Sequence, residues 1–414
     1  MELKKKNDKK DLIQNRAVMS AGKYQHLVLE WSTGCGKTLA AIKILEKIFE
    51  KNPNAQGYIV CKESTHINNW KEDMIKHGYS HFVDKCNFIL YASLHKCKKS
   101  DYVVYDECHA LTPKKLEYAR DIMHPGTRCI YLSATIPEHK KMLINSLSRY
   151  KAKYYTITLS EAIASGLLPE PKVIIHEVQL NPLGERNLSF TLRGNKKGQY
   201  VSVNYHDRWA ALKQTKAGVI VVCNEKEYYD LISDQMDYYQ RKSENLSLNA
   251  NFRRAYHNRY LNLGSQRKKF IGKIKGLRAK EIVGHFRNEG FRFICFTGSI
   301  EQCIELGSQS AIHSKNNKDI NQGLIDCFNN ESCSELFAVK MLRESVNLTN
   351  IEKGIIVQLD STIGSFYQML GRCLRHEFPE MHLLILKDTK DEEYFSSAIS
   401  DFDKKFIEYG SDYN

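Results

Sequence analysis

The sequence lacks any long apolar run. Nothing approaches the roughly 18 consecutive apolar residues that a membrane-spanning helix requires, and mean hydropathy is −0.47. It also lacks any Cys-x-x-Cys pair. The twelve cysteines fall at 35, 61, 86, 97, 108, 129, 223, 295, 303, 327, 333 and 373, spacings that argue against zinc knuckles and ribbons. No signal peptide opens the chain, because Met1 to Lys6 leads straight into polar residues. Free thiols in a reducing interior are therefore expected, without structural disulfide or zinc. The expected location is cytoplasmic, the host cytoplasm if the chain is viral. There is no internal repeat and no low-complexity segment. Acidic residues are in deficit: 48 Asp and Glu stand against 61 Lys and Arg, a net +13. Such a surface attracts polyanions, although charge kept for solubility gives the same total.

What is present is ordinary globular composition, 42% hydrophobic and 26% charged over 414 residues. That length sets an expectation of two or three domains and excludes a disordered chain. After a charged, frayed stretch over 1–10, a helix is predicted around Leu12 to Ala21. Short apolar strands then alternate with helical patterns. The strands are Gln25–Glu30, Gly57–Cys61, Phe88–Tyr91, Tyr102–Tyr105 and Cys129–Leu132, with helices over Thr38–Lys51 and Ile67–Gly78. This alternation predicts a parallel sheet covered by helices on both faces. It restarts at Lys172–Val178 and resumes through Arg292–Phe296, Phe337–Val339, Gly354–Gln358 and His382–Leu386, with Gly218–Val222 as a further candidate strand. The Gly/Pro-containing stretch from Gly166 to Pro171 marks a boundary, giving domains 1–168 and 169–414. Residues 224–290 read as helical. Ser189–Arg193 and Tyr200–Tyr205, around Gly194-Asn195-Lys196-Lys197-Gly198, give a β-hairpin signal with a basic tip.

Two local patterns carry chemistry. Thr33-Gly34-Cys35-Gly36-Lys37-Thr38 sits between a predicted strand and a predicted helix. Glycines admit phosphates close to the backbone, and the helix start offers N–H donors. Lys37 reaches β- and γ-phosphates as a point charge, and Thr38 offers a hydroxyl to Mg2+. Further on, the strand Val103–Tyr105 runs into Asp106-Glu107-Cys108-His109. An acidic pair at the end of a parallel strand falls beside the phosphate loop in a doubly wound sheet. Asp106 is then placed to hold Mg2+ through water, and Glu107 to orient and deprotonate an attacking water.

These residues resemble the motifs of superfamily 2 helicases. Thr33–Thr38, Asp106–His109 and Ser133-Ala134-Thr135 are similar to motifs I, II and III, with the tetrad on the DExH side. Gln368-Met369-Leu370-Gly371-Arg372-Cys373-Leu374-Arg375 matches the Gln-x-x-Gly-Arg-x-x-Arg pattern of motif VI. Arg343–Leu348 resembles motif V, with Ser345 and Asn347 where many members have Gly and Asp. Phe293–Ser299 resembles motif IV, and Ile59–Lys62, with the Trp70 helix after it, resembles motif Ia. The stretch Leu159–Ile163 and Gly166–Leu168 is similar to the linker of type III restriction and phage branch-migration helicases. The phosphate loop departs from the strict spacing, with Trp31 where the first glycine would stand.

The resemblance implies two RecA-like doubly wound parallel-sheet domains with ATP between them, and a basic helical insertion over 224–290 in the second. It implies that Thr33, Gly34, Cys35, Gly36, Lys37 and Thr38 hold the phosphates, with Asp106 and Glu344 also in the nucleotide site. Gln14 would read the adenine, Thr38 and Asp106 would carry Mg2+, and Ser133 and Thr135 would couple nucleotide state to nucleic-acid grip. Gln368, Arg372 and Arg375 would reach the γ-phosphate from the second domain.

The charge is concentrated. Residues 241–280 hold twelve basic side chains and one acidic, Glu244. Arg253, Arg254, Arg259, Arg267, Lys268, Lys269 and Lys273 are the candidate phosphate contacts. Tyr256 and Tyr260 interleave with them as rings that can stack on bases or, with Phe270, as helix-pair core. The expectation is a nucleic-acid-stimulated ATPase acting on DNA by translocation and unwinding or branch migration. RNA unwinding, an ATP-driven clamp, and a motor subunit with a partner chain are the alternatives. A monomer with no membrane partner is expected.

Overall fold

The strands that are apolar at every position become the centre of a parallel sheet, because only a strand covered by helices on both faces can bury all its side chains. In the computed structural model, which describes residues 2–148, 151–183, 186–190, 200–214, 218–339, 348–359, 363–374, 376–400 and 402–410, the first such sheet has six strands. Its elements run α1 (Glu2–Lys23), β1 (His26–Trp31), α2 (Lys37–Lys51), β2 (Gly57–Cys61), α3 (Ser64–Lys76), β3 (Asn87–Leu90), β4 (Tyr102–Tyr105), α4 (Pro113–Asp121), β5 (Arg128–Ser133), α5 (Glu138–Asn145), β6 (Lys153–Ile157) and α6 (Leu159–Ala164). The order across the sheet is β3-β2-β4-β5-β1-β6, and every pairing is parallel. β1 and β4 are buried along their whole length. The carboxyl ends of β2, β4, β5 and β1 therefore lie side by side. The helix α1 begins at Glu2, so the stretch predicted to fray is helical backbone from its second residue.

The second parallel sheet starts with β7 (Lys172–Val178). A separate module follows: β8 (Arg186–Phe190), β9 (Tyr200–Asn204), α7 (Arg208–Gln214), β10 (Gly218–Cys223), α8 (Glu225–Glu244) and α9 (Ala250–Asn288). The chain then returns through β11 (Phe293–Phe296), α10 (Ile300–Gly307), β12 (Ala311–Ile312), α11 (Lys318–Asn329), β13 (Glu335–Ala338), β14 (Lys353–Ile356), α12 (Ile363–Cys373), β15 (Glu380–Leu386), α13 (Lys390–Ala398) and β16 (Ile407–Tyr409). The sheet order is β12-β13-β11-β14-β15-β7-β16, again parallel throughout. β15 was expected to be the last strand in the chain, yet the short edge strand β16 follows it and pairs with β7.

The predicted hairpin does not form. β8 and β9 lie on opposite sides of β10, the first antiparallel and the second parallel to it. The apolar strand Gly218–Cys223 takes the central place because one face, with Val219 and Val221, is fully buried and the other half-buried, while β9 is almost entirely exposed. The basic tip Lys196–Lys197 lies outside the described residues.

α9 has 39 residues, about 58 Å at 1.5 Å per residue, and joins the module to the second domain. Near its start Leu263 packs with Leu231, Ile232 and Met236 of α8 and with Val219 and Val221. Towards its end Ala279, Ile282, Val283 and Phe286 pack on Phe293, Phe337, Ile355 and Leu384. Between them Lys275 is fully buried, 2.6 Å from Asp391 at the start of α13, and it donates to the Leu384 carbonyl at 2.9 Å. Burial pushes the Lys275 ammonium down, and the Asp391 carboxylate opposes that push. Replacing Lys275 by Ala leaves Asp391 charged in an apolar site, a loss of about 3–5 kcal/mol, to be read as a lowered midpoint for the second domain in urea unfolding.

Candidate nucleotide site and nucleic-acid interface

The phosphate loop follows β1. Gly34 and Gly36 have φ of 90° and 84°, left-handed values that a side chain adopts only at a cost. A Cβ on Gly36 would lie 2.5 Å from Gln14 Nε2, and one on Gly34 would meet Leu168 at 3.0 Å. Lys37 opens α2, and its ammonium donates to the Trp31 carbonyl at 2.7 Å. Burial lowers the Lys37 pKa, with the Glu107 and Asp106 charges among those working against it. Gln14 is buried. It accepts from Lys43 Nζ at 2.8 Å, and its Nε2 faces the Gly36 carbonyl at 3.4 Å. The sequence-predicted Gln14 thus does lie against the loop.

Asp106 and Glu107 leave the end of β4. Asp106 Oδ1 accepts the Glu107 backbone N–H at 3.1 Å. Oδ2 accepts from Trp70 Nε1 at 3.1 Å and faces His66 Nδ1 at 3.2 Å. Glu107 takes a left-handed backbone, φ 49°. Burial alone would raise its pKa. A hydrogen bond from His109 and the charges of Lys37 and His109 outweigh burial and hold it at about 2. His109 Nδ1 lies 3.2 Å from Glu107 Oε2 and 3.1 Å from Ser133 Oγ. Ser133, buried at the end of β5, donates to the Thr135 carbonyl at 2.8 Å. Thr135 is exposed. A continuous polar chain therefore runs from Glu107 to the surface.

From the second domain, α12 brings motif VI to the loop. A Cβ on Gly371 would lie 2.9 Å from Thr33 Cβ, so the two domains meet here at glycine distance. Arg372 is buried and Gln368 half-buried on the same helix. Glu344 and Arg375 lie outside the described residues. The oxygen donors Thr38 and Asp106 form a hard set suited to a divalent cation carrying phosphates, and the two left-handed glycines leave the loop backbone bare of side chains. The residues present therefore fit a Mg2+–nucleotide.

The seven basic candidates do not form one group. Arg254, Arg259, Lys269 and Lys273 are exposed, while Arg253, Arg267 and Lys268 are half-buried. Arg267 turns inward to Ser233 Oγ at 3.2 Å, and Lys269 pairs with Glu301 at 3.4 Å. Arg253 and Arg254 line a cleft of about 470 Å³ with Gln240, Ser243, Glu244, His257 and Tyr260. Tyr260 packs partly against the module core, Tyr256 stands 6.0 Å from the Tyr239 ring, and Phe270 is buried. The aromatics therefore serve packing more than the interleaved pattern suggests. His66, His109, Lys43 and Leu168 carry contacts that motif reading missed. The one available signal was the i, i+4 spacing of His66 and Trp70, which puts both on one helix face.

Both domains match helicase-type family models. Residues 4–138 match the family described as type III restriction enzyme, res subunit, and residues 275–377 match the helicase conserved C-terminal domain. Solved structures of the same fold include the Pyrococcus furiosus Hef helicase domain, at 13% identity and TM-score 0.50, covering 94% of this chain and 97% of that one. S. cerevisiae Dbp5 bound to RNA and ADP BeF3 aligns at 10% identity and TM-score 0.56, over 93% of this chain and 85% of Dbp5. The type ISP restriction-modification enzyme LlaBIII bound to DNA aligns at 12% identity and TM-score 0.53, over 97% of this chain but 31% of its own length. Among curated protein sequences none matches. The two RecA-like domains, with these family matches, define a superfamily 2 helicase, an ATP-dependent enzyme class acting on nucleic acid. Within that class, residues 4–138 are similar to the res subunit of type III restriction enzymes. Among the described residues no helix is long and apolar enough to cross a membrane.

The Gly371–Thr33 contact yields a direct test. Gly371→Ala forces the two domains apart by part of an ångström, enough to lower ATP turnover on the order of 10²-fold. The thermal midpoint stays near that of the wild type, because the contact lies between domains and not within a core.

Proposed function

We propose that this chain is an ATP-driven DNA translocase that separates or remodels duplex DNA. The observation that carries the DNA reading is the match of residues 4–138 to the type III restriction subunit family, supported by the likeness to a restriction enzyme bound to DNA. In this reading the domains divide near residue 168, and the chain works as a monomer in the cytoplasm.

The phosphate loop receives the nucleotide. Lys37 releases the Trp31 carbonyl and turns its ammonium to the phosphates, while the N-terminal amides of α2 meet the same charge. Thr38 and Asp106 would hold Mg2+, which when bound neutralises part of the phosphate charge. Glu107 stays ionised, because a carboxyl held at about 2 is a weak base. It therefore orients the attacking water more than it deprotonates it, until phosphates draw Lys37 away and lift one of the pulls on it. Arg372, and Arg375 and Gln368 with it, complete the γ-phosphate site only when the domains are together, so hydrolysis waits on closure. His109, Ser133 and Thr135 pass the state of Glu107 to the surface that grips nucleic acid.

Two measurements decide the reading. ATPase activity of the wild type and Lys37→Ala is compared with single-stranded, duplex and forked DNA and with RNA. The expected result is stimulation by DNA, with Lys37→Ala lowering turnover by about 10²-fold or more. Stimulation by RNA alone assigns the chain to RNA, and stimulation without strand displacement makes it a clamp. In the second, Arg254, Arg259 and Lys273 are replaced together by Glu. DNA affinity falls, and the slope of log affinity against log salt becomes shallower by about 0.9 for each lost phosphate contact; an unchanged slope places the grip elsewhere.

A further inference from the structure

The side chain of Asp106 is fixed more fully than a metal-facing carboxylate needs for its own burial. Its side chain is 15% exposed, yet three hydrogen-bond donors converge on it. The Glu107 N–H binds Oδ1. Trp70 Nε1 and His66 Nδ1 both meet Oδ2, at 3.1 and 3.2 Å. The main chain is pinned as well, since Tyr91 Oη donates to the Asp106 carbonyl at 3.0 Å. An ionised carboxylate has about four acceptor positions. Three are filled from inside the protein, which leaves the carboxylate one direction to offer, on the Oδ1 side.

The two side-chain donors come from one helix. His66 and Trp70 stand four residues apart on α3 and so share a face. β2 lies beside β4 in the sheet, so the helix that leaves β2 rests against the end of β4. Both residues are buried, Trp70 at 1% and His66 at 6% exposure. Burying two polar N–H groups is costly unless each is bonded, and both are aimed at the same oxygen. His66 carries a proton on Nδ1 in either charge state, because its partner is a carboxylate.

We propose that His66 and Trp70 are positioning residues for ATP hydrolysis: together they lock the Asp106 carboxylate in the rotamer that presents Oδ1 to the cation of a Mg2+–nucleotide. The proposal rests on the ATPase reading above and adds the helix after β2 to the machinery. Partners that orient a ligating group tune its metal, and losing one typically weakens metal affinity or activity about 10–100-fold.

The test uses the full chain with Mn2+ as the probe and a non-hydrolysable ATP analogue, free Mn2+ being read by its paramagnetic resonance signal. Trp70→Phe keeps the ring and removes the donor; His66→Ala removes the second donor; His66→Asn returns an N–H near the position of Nδ1. Trp70→Phe and His66→Ala are expected to raise half-saturating Mn2+ about tenfold, with His66→Asn close to the wild type. In turnover assays kcat falls more than the nucleotide KM rises. Unchanged Mn2+ saturation in Trp70→Phe and His66→Ala overturns the proposal, as does a loss in His66→Ala that His66→Asn fails to restore. If Trp70→Phe does not fold, the His66 pair decides alone. A wild type that binds no Mn2+–nucleotide and whose ATPase does not depend on Lys37 removes the ATPase reading itself, an outcome distinct from an ATPase whose clamp variants behave normally.

Discussion

A half-buried cluster of one ammonium and two carboxylates sets the terms for the rest of the molecule. Burial opposes the charges of Lys37 and Glu107, and each of the three groups has a bonded partner or an opposite charge nearby. The Lys37 ammonium rests on the Trp31 carbonyl. Asp106 is held from α3 and Glu107 by His109. The sheet order follows from the same need. Only when β2, β4, β5 and β1 stand in that sequence do the helix donors, the acidic pair, Ser133 and the phosphate loop meet at one edge. In the proposed function, a triphosphate entering this edge would replace the Trp31 carbonyl as the partner of Lys37.

The second domain answers a different constraint. It must approach the loop closely without contributing bulk, and Gly371 meets that requirement against Thr33. Its own integrity depends on charge compensation far from the site, in the Lys275–Asp391 pair. That pair ties α9 to α13, and α9 is also the strut on which the β8–β10 module is carried. One continuous helix thereby links the second domain to the module, since the Leu263 and Phe286 contacts lie on the same 39-residue element.

Much of this was legible in the sequence, and the parts that were not fail for identifiable reasons. β1, β2, β4, β5, β11 and β15 read as apolar runs because central parallel strands are buried on both faces. β6, β12 and β16 escaped because they are short or half-exposed edge strands with no such run. The hairpin over Ser189–Tyr205 was misread because local turn chemistry cannot reveal that a later strand, β10, inserts between its two arms. The phosphate loop, the Asp106–Glu107 pair and the Gly371 helix were located by motif, since their chemistry demands fixed residue types at fixed spacing. The His66–Trp70 clamp demands only two donors on a helix face, and many side chains meet that description. The charge concentration over 241–280 was visible as a sum but not as a partition: Lys275, Arg267 and Lys269 have partners in other elements, and sequence proximity says nothing of those.

In the proposed function, the polar residues Glu107, His109, Ser133 and Thr135 offer a route from the ATPase site to the exterior. Ser133 Oγ donates to the Thr135 carbonyl, so it receives the His109 Nδ1 proton as an acceptor, and that same proton faces Glu107. The imidazole thus hydrogen-bonds Ser133 while standing 3.2 Å from the Glu107 carboxylate. The Ser133–Thr135 turn ends at an exposed residue on the β5 edge of the first domain. In the proposed function, a change in the surroundings of the carboxylate would reach this surface turn through His109 and Ser133, because the close-packed sheet of β4 and β5 leaves little room to absorb it elsewhere.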